Sequence, residues 1–199
     1  MTSVREIRRR KTVIQSTAQI IRGMKLIATV RLTKDRARAE AFRPYFEELR
    51  GMGAMVLEER EWPEERKGPA GIVAFTSNRG LAGGYSQQIV RMIAGDGRIL
   101  PGTAVVYAVG KRGRDSLAAM GYEIRGDYSE AGERPDGVFA EKLAGRLLED
   151  YEAGEIGEIY LAYTVFRNAV VQEPRLIRVL PAETEDGRKA ENGLEAEDG

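Results

Sequence analysis

Residues 71–94 read GIVAFTSNRGLAGGYSQQIVRMIA, and this order of patterns predicts a strand, a glycine-rich turn and a helix. The run 71–77 is short and apolar, which is typical of a buried strand. Residues 78–84 contain three glycines, and the stretch 85–94 places its apolar residues at helical spacing. A strand that leads through such a turn into a helix is the repeating unit of an α/β domain.

The same alternation continues along the chain. Further strands are predicted at 103–109, 122–124, 158–166 and 170–180, and further helices at 114–120 and 135–152. Strands that alternate with helices favour a mainly parallel, Rossmann-like sheet. The last two strands have no helix between them, only a turn at Arg167 and Asn168, so they are expected to form a hairpin at the edge of the sheet.

The N-terminal sequence predicts one long helix, residues 1–60. Up to Tyr45 it contains Gly23 as its only glycine and Pro44 as its only proline. Steps of three and four residues trace an apolar row, interrupted by lysines, that we call the seam: Val4, Ile7, Ile14, Ala18, Ile21 and Ala28. Such spacing is typical of a coiled coil or of a helix in the core of a bundle. The later sequence offers no second helix of similar length, so the helix is expected to need a partner.

Three parts are therefore predicted: the helix 1–60, an α/β domain 70–181 and an acidic, disordered tail 182–199. The helix is rich in arginine and lysine over its first forty residues, whereas acidic residues dominate the tail. The charges thus separate along the chain, although they balance overall.

The composition removes many kinds of chemistry. The chain has 199 residues, with 31 Lys and Arg against 31 Asp and Glu, and it has neither His nor Cys. Imidazole bases, thiolate nucleophiles and Cys or His metal sites are therefore excluded. We expect no catalytic residues, no cofactor and no metal. No apolar run is long enough for a membrane span, so a cytoplasmic or peripheral location is expected.

Two turns could bind an anion. The sequence TSNRGLAGGY, residues 76–85, lies between a strand and a helix, where α/β folds often bind phosphate. It matches neither the dinucleotide pattern nor the Walker pattern, so a structural turn and a nucleotide site both remain open. The cationic turn 110–115 is a weaker candidate. Nucleic acid is not expected as a partner, because the basic helix also carries many isoleucines.

Four motifs resemble one family in order and spacing. The segments SVREIRRR at 3–10, TAQI at 17–20 and GMKLIA at 23–28 closely resemble the N-terminal helix of the γ subunit of F-type ATP synthases. Residues 76–85 are similar to that family's S-D-R-G-L-C-G-G motif, VGKRGRD at 109–115 to its V-G-x-K-G-R-D motif, and 163–181 to its last hairpin. The resemblance covers about residues 2 to 181.

The resemblance implies a central-stalk rotor subunit that couples ion-driven rotation to ATP synthesis or hydrolysis. Its expected partners are the α and β subunits, the ε subunit, the membrane rotor c-ring and a second helix that completes the coiled coil. Its expected location is peripheral, at the cytoplasmic face of a prokaryotic plasma membrane. The residues it places in contact with β subunits are Met24, Lys25, Ser77, Asn78, Arg79, Gly80, Leu81, Gly83 and Gly84.

Two departures from the family pattern stand out. Asn78 and Ala82 replace the usual Asp and Cys, which puts the standard polar contacts of this loop in doubt. The family also continues into a C-terminal helix where this sequence ends in its acidic tail. A truncated chain, one product of a split gene and a relative that no longer rotates are the alternatives. The other functions considered are a stand-alone domain that binds a nucleotide or anion at 77–84, and an adaptor that competes with full-length γ.

Overall fold

The computed structural model describes residues 4–58, 67–133, 135–168 and 171–181. The chain divides into two compact units, one up to residue 60 and one from residue 61 onward. The predicted disordered tail, 182–199, lies outside the described residues.

The described residues of the first unit form one helix, α1, which spans Val4–Glu58. It continues through Pro44, and its 55 residues give a length of roughly 80 Å. The predicted long helix is confirmed. All residues of α1 whose burial is described are exposed except Ala18 and Gly53, which are half-buried. The seam residues Val4, Ile7, Ile14 and Ile21 therefore have their apolar side chains in solvent.

The second unit is an α/β domain. Its main elements are β1 (Ala70–Phe75), α2 (Tyr85–Gly95), β2 (Ala104–Val109), α3 (Lys111–Ala119), β3 (Glu123–Asp127), α4 (Gly137–Glu152), β4 (Glu158–Phe166) and β5 (Gln172–Leu180). Within the described residues, no helix is apolar over enough of its length to cross a bilayer.

The five strands form one sheet in the order β3-β2-β1-β4-β5. β1 lies at the centre and pairs in parallel with β2 and β4, so that Ile72 is opposite both Val106 and Tyr160. β4 and β5 are antiparallel neighbours at one edge. The predicted mainly parallel sheet with an edge hairpin is confirmed.

Both faces of the sheet are covered, which explains why the inner strands β1 and β2 are continuously apolar. On one face, α2 and α3 pack their buried residues Ile93 and Leu117 into the cluster that contains Ile72. On the other face, α4 packs Leu147 into the cluster that contains Val73. This sandwich fixes the connections that follow β1, β2 and β3 at one end of the sheet.

In the α/β domain, two element boundaries differ from the sequence prediction by three residues, and the others differ by less. α3 begins at Lys111 rather than at residue 114, because its first amides bind side-chain and backbone oxygens that follow β1. β3 continues to Asp127 rather than ending at 124, since it pairs along β2 as far as Ala108.

Candidate functional site

The glycine-rich connection between β1 and α2 lies at the carboxyl ends of the parallel strands. Its first residue extends the sheet, because Thr76 N donates to Val109 O at 2.9 Å. Its last residue, Gly84, is the N-cap of α2. The connection is therefore next to the start of α3, which follows β2 directly.

Three consecutive residues of this connection cap α3 from outside the helix. The bonds are Lys111 N to Asn78 Oδ1 at 3.0 Å, Arg112 N to Ser77 O at 3.0 Å, and Gly113 N to Thr76 Oγ1 at 2.9 Å. The first amides of a helix have no partner within the helix, and they are the groups that bind anions at helix N-termini. Here the chain's own oxygens satisfy them.

The close approach of β1 to α3 requires a glycine at position 110. Gly110 has a φ of +134°, and a Cβ built on it would lie 2.2 Å from Thr76 O. Its carbonyl oxygen accepts a bond of 3.1 Å from Thr76 Oγ1. A side chain at this position would force the two segments apart and disturb the cap.

Asn78 makes a second contact, to the connection between β3 and α4. Its Nδ2 donates to Ser129 O at 2.6 Å, while its Oδ1 accepts from Lys111 N. Ser129 is itself buried, and its backbone N and Oγ both donate to Asp127 Oδ1. The Ser129 hydroxyl and then the Arg114 guanidinium keep the pKa of Asp127 below its ordinary value, although burial opposes them. Asn78 thus lies between two ordered segments.

The base of the connection is also tied to α2. Ser77 N donates to Ser86 Oγ at 3.0 Å, and the two hydroxyl oxygens lie 2.7 Å apart. Since Ser77 Oγ donates to Arg79 O, the Ser86 hydroxyl is the donor between the two serines. The base is therefore held from three sides, by α2, α3 and the β3–α4 connection.

The tip of the connection, in contrast, is open to solvent. Arg79, Gly80, Leu81 and Gly83 are all exposed. Leu81 has a φ of +63°, which is uncommon for a residue with a side chain, and 92% of its surface is accessible. A fixed base therefore presents a large apolar side chain to solvent.

A buried polar group lies under α4 and has a structural role. The hydroxyl of Tyr107, in β2, donates to Asp150 Oδ2, and Arg146 forms an ion pair with the same carboxylate at 2.8 Å. Burial first, and then the Asp150 carboxylate, raises the pKa of Tyr107 well above its ordinary value. No cluster of acidic side chains that could hold a metal ion occurs in the described part of the chain.

The remaining predicted site residues lie on α1. Met24 and Lys25 are exposed on this helix, and they belong to a different compact unit from residues 77–84. Besides the seam, α1 carries a second row of apolar side chains at seven-residue spacing, Val13, Ile20 and Ile27, all of them exposed. At about 3.6 residues per turn, the second row lies roughly 100° around the helix from the seam.

Comparison with known proteins shows the family. The family model described as ATP synthase matches residues 3–198. The "ATP synthase gamma chain" of Lachnoclostridium phytofermentans is 42% identical over 96% of this chain and 69% of its own length. The protein of the same name from Moorella thermoacetica is 35% identical over 95% of this chain and 69% of its own length. The "ATP synthase gamma chain, sodium ion specific" of Acetobacterium woodii is 31% identical over 92% of this chain and 63% of its own length.

Two solved structures are also similar, both of the Euglena gracilis mitochondrial ATP synthase. The rotor in rotational state 1 matches at 18% identity and a TM-score of 0.41, over 73% of this chain and 48% of the other. The OSCP/F1/c-ring structure in rotational state 3 matches at 15% identity and a TM-score of 0.43, over 82% of this chain and 61% of the other. The chain spans about two thirds of the length of its curated relatives. On the strength of the family model and these relatives, it belongs to the ATP synthase γ chain family.

Proposed function

We propose that this chain supplies the N-terminal shaft helix and the α/β domain of a central-stalk γ subunit. In this role its rotation inside a ring of α and β subunits couples ion flow to ATP synthesis or hydrolysis. The observation that carries the proposal is α1, a helix of 55 residues with apolar side chains exposed along its length. An apolar surface of this extent indicates that other proteins cover it.

The two apolar rows of α1 suit the two kinds of neighbour that a shaft has. A second helix packed on the seam would complete a coiled coil and make the shaft stiff. It would leave uncovered the second row, with Val13, Ile20 and Ile27, which lies roughly 100° away. That row is then available to the surrounding α and β subunits.

Met24 and Lys25 are proposed as contacts to the levers of the β subunits. Both residues are exposed on α1, and they lie within the stretch that carries the two apolar rows. The surplus of arginine and lysine on this helix favours acidic partner segments through long-range attraction, which salt would screen.

The connection 77–84 is proposed to contact one β subunit. Its base is fixed by Ser77 and Asn78, while Arg79, Gly80, Leu81 and Gly83 are exposed at its tip. A rigid base lowers the entropy lost when the tip binds a partner. Gly84 ends the connection at the start of α2.

The α/β domain is proposed to bind the ε subunit and the c-ring, at the cytoplasmic face of a prokaryotic membrane. The chain itself carries out no catalysis in this account, because the catalytic sites of the complex lie in its β subunits. A stand-alone anion-binding function is less well supported, since the amides at the start of α3 already bind Thr76, Ser77 and Asn78.

The proposal is tested by mixing the chain with α and β subunits from the same source. Light scattering during size-exclusion chromatography then gives the number of copies per ring. The expected result is one copy of the chain per ring of α and β subunits, with stimulated ATP hydrolysis. Incorporation without stimulation would favour the competing adaptor instead.

Matched pairs of substitutions test which rows of α1 are covered. We expect Val13→Asp with Ile20→Asp to abolish incorporation, because two charges would enter an apolar contact. The control pair is Gln15→Asp with Gln19→Asp, which adds the same charges on the polar side of the same turns. Equal incorporation of both pairs would contradict the proposed contact.

A further inference from the structure

We propose that Asn78 positions the loop 79–84 by joining it both to the start of α3 and to the connection between β3 and α4. Because the loop's role as a subunit contact belongs to the proposed function, this inference rests on that function for its meaning in the complex. Its structural content concerns this chain alone and can be tested on it.

The two contacts of Asn78 require one donor and one acceptor. Ser129 O needs a donor, and it receives Asn78 Nδ2 at 2.6 Å. Lys111 N needs an acceptor, and it receives Asn78 Oδ1 at 3.0 Å. A neutral amide supplies both groups, whereas an ionised carboxylate supplies acceptors only. The pair of contacts therefore selects asparagine over aspartate at neutral pH.

The two anchors of Asn78, Lys111 and Ser129, are also joined to each other. Ser129 donates to Asp127 Oδ1, and Arg114 Nη1 of α3 donates to Asp127 Oδ2 at 2.6 Å. Arg114 lies one turn beyond Lys111 on the same helix, so the contacts form a closed ring. In a closed ring, Asn78 is connected to each anchor both directly and through the other anchor. The base of the loop is therefore expected to move together with α3 and with Ser129.

A carboxylate at position 78 would break one of the two contacts. In Asn78→Asp, a carboxylate oxygen would replace Nδ2 and meet Ser129 O at about the same distance, which is repulsive. Protonation would restore a donor, so the defect should shrink as the pH falls through the pKa of the new group. The charged residues described on the adjoining segments are Arg79 on the loop, Lys111, Arg112, Arg114 and Asp115 on α3, Asp127 at the end of β3, and Glu130, Glu133 and Asp136 on the β3–α4 connection.

The experiment uses NMR on the full chain, comparing wild type with Asn78→Asp and Asn78→Ala. Backbone order parameters report on residues 79–83, and amide exchange reports on Lys111. The control is Asn168→Asp in the β4–β5 turn, where the side-chain oxygen accepts from Val171 N and an aspartate keeps that role.

The expected order parameters of residues 79–83 are about 0.85 in wild type and in the control, and below about 0.6 in both Asn78 variants at neutral pH. Exchange of the Lys111 amide should be unchanged in Asn78→Asp, which keeps an acceptor. It should be faster by roughly five- to tenfold in Asn78→Ala. Order in Asn78→Asp should recover towards the wild-type values at acidic pH, which a purely packing role would not produce.

A loop as ordered in Asn78→Asp as in wild type at neutral pH would overturn the inference. So would an equal loss of order in the Asn168→Asp control. These measurements do not involve the α and β subunits. Failure of the wild-type chain to enter a ring would therefore count against the proposed function and leave this inference standing.

Discussion

Replacing Gly110 by alanine should destabilise the α/β domain far more than an ordinary glycine substitution. A positive φ of +134° costs a residue with a side chain about 1 to 3 kcal/mol. The new Cβ would also lie 2.2 Å from Thr76 O, whereas real Cβ atoms essentially never approach closer than 3.0 Å. The strand end and the start of α3 must then separate.

Separation would weaken three hydrogen bonds, each worth about 0.5 to 1.5 kcal/mol. They are Gly113 N to Thr76 Oγ1, Arg112 N to Ser77 O, and Thr76 Oγ1 to Gly110 O. Together with the backbone strain, full loss of these bonds amounts to about 2.5 to 7.5 kcal/mol in the free energy of unfolding. This is a large part of the ~5–15 kcal/mol by which domains are usually stable.

The assay is urea unfolding of the full chain, followed by near-ultraviolet circular dichroism. The signal reports on the α/β domain through its buried tyrosines Tyr107, Tyr122 and Tyr160. Gly102→Ala is the matched control, because Gly102 also has a positive φ, +87°, but has no neighbouring atom within 4 Å of a built Cβ. The free energy of unfolding of the control should fall only by the cost of the backbone strain. Equal losses for the two variants would refute the argument from close approach.

Three further predictions concern single side chains. Gly23→Ala should stabilise α1 by up to about 1 kcal/mol, because no atom lies within 4 Å of a Cβ built at this position. The helicity measured by far-ultraviolet circular dichroism should therefore rise, and lower helicity would contradict this. Leu81→Gly should leave the urea midpoint unchanged or raise it, because the leucine is exposed at positive φ, yet should weaken binding to the α and β ring. Tyr107→Phe should lower the free energy of unfolding by about 1 to 3 kcal/mol, because Asp150 loses a buried donor. Because the pKa of Tyr107 is raised in the folded state, the stability that its hydroxyl adds is complete below the ordinary tyrosine pKa of 10.0 and is lost as the pH rises above that value. Urea midpoints of wild type and variant that stay parallel in alkali would rule this out.

The architecture could be predicted because its causes are local in the sequence. Ile72 and Val106 lie in short apolar runs bounded by glycine and polar residues, and strands covered on both faces have this composition. The long helix followed from the scarcity of glycine and proline, and Pro44 did not end it. The absence of a helical stretch between β4 and β5 predicted their antiparallel pairing.

The cap of α3 could not be predicted, because its partners are distant in sequence. Asn78 is 33 residues from Lys111 and 51 residues from Ser129. The local sequence alone predicts that α3 starts at residue 114, because Gly110 and Gly113 are poor helix formers and nothing nearby in the sequence indicates the cap. The usable signal is topological: the residues that follow neighbouring parallel strands meet at one end of the sheet.

The contacts of α1 also could not be settled from its sequence. The spacing of Val4, Ile7, Ile14 and Ile21 predicts an apolar seam, and the structure leaves that seam exposed within this chain. What covers it depends on other proteins. The predicted β-subunit contacts at Met24, Lys25 and residues 77–84 therefore stay predictions.

We propose that this chain works as a shaft inside a ring of α and β subunits. The most direct measurement is the rate of ATP hydrolysis by purified α and β subunits, with and without the full chain, together with the number of copies bound. We predict one copy per ring and a higher rate. No binding to the ring, together with saturable binding of ATP to the chain alone, would contradict the claim.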